Sequence, residues 1–265
     1  MKNFLTILLG LACAAVLFFG HSYWNERIKA APQKTSSLSD KHQRTSTQTV
    51  ENKFPDEDVI AYTRNWPASA VDRFKQTLGD KKPFKVLFVG SPAIGSNTAG
   101  TFPNVKEKLI ETFGKNNIQI GLKTFKSTST QLVNSNKQDE IASEEADLII
   151  LEPFILQNNY GLILIDKTLS DISNIMDDIK AKKPVTTFML QPSFPLYKAK
   201  IYPNQVAEPK KFAKQNQITY LDHWSAWPDT NTEKIKEYLQ SDQGAPNDKG
   251  NQVRSDFILQ FLISK

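Results

Sequence analysis

Five short, largely apolar runs alternate with segments of helical periodicity from Phe84 onward, and this alternation limits the possible folds more than any other feature. Strands that are apolar along most of their length are typical of a sheet buried on both faces. Intervening helices are the usual crossovers between parallel strands. The sequence therefore predicts an α/β fold, with three α/β/α layers around a five-stranded parallel, flavodoxin-like sheet. The predicted strands are 84–89, 118–125, 147–151, 185–190 and 218–221.

The predicted helices carry their apolar residues on one side, as helices that cover a sheet do. One begins near Asn104 and ends at Gly114, a residue that commonly stops a helix. The others are predicted at about 129–145, 168–182, 204–216, 232–240 and 249–263. The last helix is expected to bury Val253, Phe257, Phe261 and Leu262.

An uncharged apolar stretch of 17 residues, Phe4–Gly20, lies near the beginning of the chain. This length is short for a membrane span and slightly long for the core of a signal peptide. The aromatic pair Tyr23-Trp24 favours a helix that leaves the bilayer at its interface. We predict an uncleaved signal anchor within residues 1–24, with a cleaved signal peptide or a buried helix as alternatives. The folded domain would then lie outside the cytoplasm, held at the cell membrane through residues 4–20 or secreted if the segment is cleaved.

The composition changes twice before the predicted sheet begins. Residues 25–53 are mostly polar and contain too little apolar surface to offset the entropy of ordering, so a flexible tether is expected there. Residues 54–83 contain Trp66 and Phe74 at loosely helical spacing, and we expect an entry segment that either docks on the domain or forms a helix leading into it. The folded domain is expected over 84–265, about 180 residues, which is ample for one hydrophobic core.

Composition also limits the chemistry. The only cysteine, Cys13, lies in the apolar stretch, so the exported part has no thiol or disulfide. Neither a histidine cluster nor a calcium-binding loop nor a phosphate-cradling glycine loop occurs, and we expect no metal and no cofactor. The net charge is +5, but lysines and acids are interspersed. Because no concentrated basic surface results, nucleic-acid binding is not expected.

The loops at the carboxyl ends of the strands are where a parallel sheet binds its ligands. Gly90 and Ser91 follow the first predicted strand, at the point where α/β hydrolytic enzymes hold a nucleophile. A small residue there also suits a tight turn, whether or not its hydroxyl reacts. The other segments of interest follow later strands or precede the last helix: 152–160, 191–197, 222–229 and 241–248.

Four segments at these positions resemble the SGNH/GDSL hydrolase family, most closely its small extracellular members from Gram-positive bacteria. They are FVGSPAIGS (88–96), LEPFILQNN (151–159), YLDHWSAWPD (220–229) and SDQGAPNDKGN (241–251). The resemblance extends over about 84–265. It implies a three-layer serine esterase, whose substrate outside the cytoplasm would be an acylated cell-surface polysaccharide or lipid.

The resemblance also implies roles for particular residues. Family members use a serine in the first segment, glycine and asparagine as oxyanion donors, and an Asp-x-x-His pair in the last segment. Carried over to this chain, Ser91 is the candidate nucleophile and Asp242 the candidate acid of the pair. Gly95 and Asn158 are the candidate oxyanion or substrate-binding residues, with Asn159 as the alternative asparagine.

Two positions depart from the family pattern. The Gly-Asp-Ser motif corresponds to Gly90-Ser91-Pro92, which places Pro92 where the nucleophile is expected. The Asp-x-x-His motif corresponds to residues 242–245, which places Ala245 where the histidine is expected. Proline and alanine have no group that attacks an acyl carbon or accepts a proton.

His223 is the only histidine beyond residue 42 and is therefore the one imidazole that could replace the missing base. In a sheet of order 2-1-3-4-5, its strand lies three spacings, about 14 Å, from the strand that carries Ser91. A packing role for His223 is the alternative. The sequence thus supports two hypotheses, a serine ester hydrolase that uses Ser91 and a surface binding protein that keeps the hydrolase fold without catalysis.

Overall fold

A computed structural model of the protein describes residues 55–264, with side chains from Asp58. The predicted signal anchor or signal peptide (1–24) and the tether (25–53) lie outside the described residues. Within the described part, no helix is both long and apolar enough to cross a membrane.

A single parallel sheet of five strands forms the middle layer, in the order β2-β1-β3-β4-β5. This order confirms the predicted fold class and the flavodoxin-like arrangement. The strands are β1 (Phe84–Gly90), β2 (Ile118–Thr124), β3 (Leu148–Leu151), β4 (Thr187–Leu190) and β5 (Thr219–Tyr220).

Helices cover both faces of the sheet. They are α1 (Pro55–Ala61), α2 (Ala68–Gly79), α3 (Thr101–Phe113), α4 (Ser129–Asn134), α5 (Gln138–Ala142), α6 (Ile155–Tyr160), α7 (Ile165–Lys182), α8 (Tyr202–Gln215) and α9 (Asp248–Leu262). Short 3₁₀ turns occur at Pro92–Ile94, His223–Ala226 and Glu233–Tyr238.

Three helical predictions need correction. The helix expected over 129–145 is divided into α4 and α5, with Asn136 between them in the left-handed region at φ 51°. The helix expected over 232–240 is a 3₁₀ turn instead. The short helix α6 was not predicted, because it begins after Phe154, a non-glycine residue with φ 61° that no sequence pattern marks.

Successive side chains of β1 alternate between two hydrophobic cores, one on each face of the sheet. Val86 and Phe88 point into one core, which also contains buried residues of α2, α3 and α9. Leu87 and Val89 point into the other, beneath α4, α5, α7 and α8. Successive side chains of a strand face opposite sides, so this separation is what a sheet covered on both faces requires.

The residues just before β1 pack into the first core. The indole of Trp66 lies 5.4–5.6 Å, centroid to centroid, from the rings of Phe74, Phe84 and Phe113. Its Nε1–H donates to the carbonyl oxygen of Leu262 at 2.9 Å. The two ends of the described chain are therefore held together in one folded unit.

The inward face of α9 differs from the prediction. Its buried residues are Gly250, Arg254, Ser255, Ile258 and Leu262, whereas Val253, Phe257 and Phe261 are only half-buried. The prediction is confirmed for Leu262 and in part for the other three residues, which pack against the buried cores. It omitted the charged Arg254, which is buried. Arg254 shares the four-residue spacing of Gly250 and Ile258, and its guanidinium finds acceptors in the interior.

Candidate ligand cleft at the carboxyl edge of the sheet

A cleft of about 680 Å³ opens at the carboxyl edge of the sheet. Its walls are formed by the segments after β1, β3 and β4 and by the loop before α9. All four were predicted from the sequence as ligand-binding segments. Residues 222–229, which follow β5, do not line it. The lining includes Pro92, Gly95, Ser96, Leu156, Gln157, Tyr160, Phe194, Leu196, Gln240, Gln243, Ala245, Asn247, Asp248 and Asn251.

The lining is rich in amide side chains and includes two aromatic rings, Tyr160 and Phe194. Asp248 and Tyr160 are the ionisable residues among those that line it, and no histidine, cysteine or lysine does. Amide groups both donate and accept hydrogen bonds, so the cleft suits a neutral polar ligand.

Pro92 and Ala245 both line this cleft. The two departures from the family motif are therefore at its wall, where a nucleophile and its base would have to meet the ligand. Gly95 lines the cleft as well, at φ 98°, and its N–H donates to the carbonyl oxygen of Pro92 at 3.1 Å. A Cβ at Gly95 would lie 2.8 Å from the carbonyl oxygen of Ala99, so the turn requires glycine.

Ser91 is fully buried and does not line the cleft. Its Oγ accepts a hydrogen bond from the N–H of Ala93 at 3.3 Å, which caps the short turn Pro92–Ile94. Its own N–H donates to Oε2 of Glu152 at 2.8 Å. These contacts give Ser91 a role in shaping the turn.

His223 is also fully buried, and both of its ring nitrogens have partners. Nε2 donates to the carbonyl oxygen of Pro192 at 2.9 Å, and Nδ1 accepts from the indole N–H of Trp227 at 3.2 Å. Burial holds the pKa of His223 well below its usual value, and the charge of Arg254 acts in the same direction. The geometry therefore argues against His223 as a base for Ser91, because no ring nitrogen is left to accept a proton.

Asn158 lies inside the protein on α6. Its Oδ1 accepts from the N–H of Ser129 at 2.8 Å, and its Nδ2 donates to the hydroxyls of Ser129 and Thr168 at 2.9 and 2.7 Å. With both amide hydrogens engaged, Asn158 joins α4 and α7 to α6 and has no donor left for an oxyanion.

Asp242 is exposed on the loop that precedes α9. Its Oδ1 accepts from the N–H of Gly244 at 2.9 Å, as in an Asx turn. Of the five predicted site residues, Gly95 alone lines the cleft, Asp242 flanks it near Ala245, and Ser91, Asn158 and His223 lie in the interior.

Beneath the cleft lies a buried carboxyl group, Glu152, that was not among the predicted site residues. Glu152 follows β3 and is fully buried, with Oε1 lacking a hydrogen-bond partner among the described residues. Burial raises the pKa of this carboxyl, although the hydrogen bonds from Ser91 act in the opposite direction. A Cβ at Gly90 would lie 2.7 Å from Cβ of Glu152, so glycine is required where the two strands end.

Arg254 is the second buried ionisable residue here and has the largest fully buried side chain of the described part. Its Nη1 donates to the carbonyl oxygen of Ala93 at 2.7 Å. Its Nη2 donates to Oε1 of Gln191 at 3.1 Å and to the carbonyl oxygen of Pro192 at 3.3 Å. Burial lowers the pKa of Arg254 to about 10, against the attraction of Glu152. The guanidinium thereby fixes α9 to the loops that form two walls of the cleft.

The side chains offer no metal centre within residues 55–264, where no three His, Cys, Asp or Glu residues are grouped closely enough to hold an ion.

No protein-family model matches the chain, and no curated protein sequence matches it. Solved structures do match. An acetylxylan esterase from Geobacillus stearothermophilus is 14% identical, with a TM-score of 0.55, over 69% of this chain and 96% of that one. A lipase from a goat rumen metagenome is 16% identical, with a TM-score of 0.51, over 69% of this chain and 99% of that one.

A protein of the G-D-S-L family from Desulfitobacterium hafniense is 17% identical, with a TM-score of 0.52, over 67% of this chain and 99% of that one. Each of these solved chains is matched along nearly its whole length. The protein therefore has the SGNH/GDSL hydrolase fold.

Proposed function

We propose that this protein uses its SGNH fold to bind an acylated saccharide in the cleft and does not hydrolyse it by a serine–histidine mechanism. The observation that carries this proposal is the position of Pro92 and Ala245, which both line the cleft. An SGNH hydrolase would need its nucleophile and base there, within about 3 Å of each other.

No other side chains of the described residues replace this pair. Ser96 is the exposed serine of the cleft wall, and its Oγ accepts hydrogen bonds from the N–H groups of Thr98 and Ala99 at 3.3 and 3.0 Å. No imidazole lines the cleft beside it. Ser91 and His223 are buried and engaged with other groups.

The proposed ligand class follows from the chemistry of the lining. Gln157, Gln240 and Asn251 offer donors and acceptors to hydroxyl groups, and Tyr160 offers a ring at the rim. Leu156 and Phe194 provide an apolar surface for a short acyl group. A similar structure is named as an acetylxylan esterase, which supports an acylated saccharide as the ligand.

We also propose that the domain acts outside the cytoplasm. The apolar stretch Phe4–Gly20 would anchor it in the cell membrane, or direct its secretion if the stretch is cleaved. An acylated cell-surface polysaccharide or lipid would then be within its reach.

Ester hydrolysis through Ser91 is the second candidate function. It is favoured by the similar solved structures, which are named as esterases and lipases. The two candidates differ in whether the acyl group is released.

The two functions separate in one experiment on the purified protein, with acetylated and deacetylated xylo-oligosaccharides as probes. We expect calorimetric binding of the acetylated form without release of acetate at any pH between about 5 and 9. Tyr160→Ala should weaken binding about tenfold through loss of the ring contact. Tyr197→Ala, an aromatic change outside the cleft, is the matched control. Acetate release that Ser91→Ala abolishes would instead establish the esterase.

A further inference from the structure

Four exposed apolar side chains occur together beside the cleft. Tyr160, Leu162, Leu164 and Ile201, which we call the apolar rim, are 80%, 88%, 77% and 71% exposed. Leu162, Leu164 and Ile201 line one open groove of about 810 Å³, and Tyr160 lines the neighbouring ligand cleft. Clustered exposed apolar side chains usually mark a surface that contacts another apolar phase or molecule.

The backbone presents the tip of the rim in an uncommon conformation. Leu162 has φ 54°, in the left-handed region that residues other than glycine, asparagine and aspartate seldom adopt. The turn is held from below, since the N–H of Ile163 donates to the carbonyl oxygen of the buried Asn158 at 2.8 Å. The turn therefore holds the side chain of a leucine in solvent.

One lysine that the described residues leave without an ion pair borders the rim. Of the two lysines in segment 198–201, Lys198 lies 3.9 Å from the carboxylate of Glu233, and the exposed Asp166 follows segment 160–165. Lys200 lines the groove, and the described residues provide it with no ion-pair partner. Exposed apolar side chains beside a lysine without an ion-pair partner match the surface of a bilayer that contains anionic lipids.

The predicted anchor and tether would keep this surface near a bilayer. A flexible chain of 29 residues, the length of the predicted tether (25–53), would have a root-mean-square end-to-end distance of about 30 Å. A linker of that length would keep the folded domain close to the bilayer and leave it free to turn the rim toward the surface.

We propose that the apolar rim docks on the surface of an anionic bilayer, with Leu162 and Leu164 in the interfacial layer. This proposal rests on the membrane location proposed above. Because Tyr160 belongs both to the rim and to the wall of the cleft, docking would place the mouth of the cleft at the membrane surface. The ligand of the cleft would then be an acylated saccharide carried at that surface.

Site-specific fluorescence on the full chain in vesicles tests the proposal. Cys13→Ser removes the native thiol, and Leu162→Cys then carries an environment-sensitive fluorophore. The control is Val185→Cys, since Val185 is also an exposed apolar residue but precedes β4 at the opposite edge of the sheet. In vesicles of phosphatidylglycerol and phosphatidylcholine, we expect brominated lipids to quench the Leu162 label about threefold and the Val185 label hardly at all.

Flotation of the same samples distinguishes the docking of the rim from the membrane location proposed above. Protein that floats with the vesicles while both labels are quenched equally would overturn docking and leave the anchor intact. Protein that does not float would overturn both. A blue shift at Leu162 that depends on protein concentration but not on brominated lipid would show that a second copy covers the rim, and would also overturn docking.

Discussion

Asp147 and Glu152 are buried carboxylates at the two ends of the same four-residue strand, and their surroundings are opposite. Asp147 precedes β3 at the amino edge of the sheet, and Glu152 follows it at the carboxyl edge beneath the cleft. At the amino edge of the sheet both oxygens of the buried carboxylate have hydrogen-bond partners, whereas at the carboxyl edge one carboxyl oxygen has none among the described residues.

Asp147 accepts hydrogen bonds from three donors. They are Nε of Arg73 at 2.9 Å, Nζ of Lys183 at 2.7 Å and the N–H of Lys85 at 2.8 Å. Burial by itself would raise the pKa of Asp147, but these donors outweigh it and hold the pKa below its usual value. The amino edge is therefore a closed structural network.

Within the described structure, Oε2 of Glu152 accepts from the N–H of Ser91 at 2.8 Å, whereas Oε1 has no hydrogen-bond partner. Burial raises its pKa, and the guanidinium of Arg254 donates to carbonyl and amide oxygens instead of to this carboxylate. Buried polar groups without partners are rare and usually mark a site. Carboxylates whose pKa values are displaced in opposite directions likewise indicate different roles.

The largest effect is expected from the arginine at each edge. Arg254→Met should lower the free energy of unfolding by about 3–5 kcal/mol, because it removes three hydrogen bonds and leaves their largely buried acceptors without this donor. Arg73→Met should cost only about 1–2 kcal/mol, because Lys183 and Lys85 still serve Asp147. Urea unfolding followed by tryptophan fluorescence measures both. Equal losses would show that the two edges do not differ.

The two carboxylates should respond to pH with opposite signs. The lowered pKa of Asp147 adds stability above its unfolded pKa of about 4, and this stability is lost as the pH falls through the folded pKa. The deficit of Asp147→Asn relative to the wild type should therefore shrink on acidification. The raised pKa of Glu152 costs nothing below about 4 and progressively more as the pH rises, so Glu152→Gln should gain on the wild type toward neutral pH.

A series of urea unfolding curves from about pH 3 to pH 8 would check both signs. The result that would contradict the comparison is a parallel pH dependence, in which the two variants gain or lose stability together.

The smallest effect on stability is expected from substitutions in the cleft wall, at the two positions that lack a nucleophile and a base. Pro92 and Ala245 line the cleft and Asp242 lies three residues before Ala245, so the double substitution Pro92→Ser and Ala245→His would restore a serine and a histidine at its wall. We expect stability to change by less than about 1 kcal/mol and slow hydrolysis of a short acyl ester to appear. The single variants are the controls, and equal rates in all four proteins would contradict the placement of the missing groups.

The sheet could be predicted because its strands are apolar runs of the right length, and alternation with helices dictates their parallel order. The cleft could also be located, since it depends only on where strands end. The interior beneath it could not, because the burial of Arg254 depends on acceptors from Ala93 and Pro192, which are distant in sequence. The engagement of Asn158 by Ser129 and Thr168 is equally invisible without the fold.

Labelling of the purified protein with a fluorophosphonate, beside its Ser91→Ala variant, tests the central claim most directly, with a serine esterase as the positive control. A fluorophosphonate reacts with a serine only when a neighbouring base activates it. Since Ser91 is buried and both nitrogens of His223 are engaged, we predict that neither protein is labelled. Labelling of the wild type that disappears in Ser91→Ala would contradict the account and make this protein a serine hydrolase.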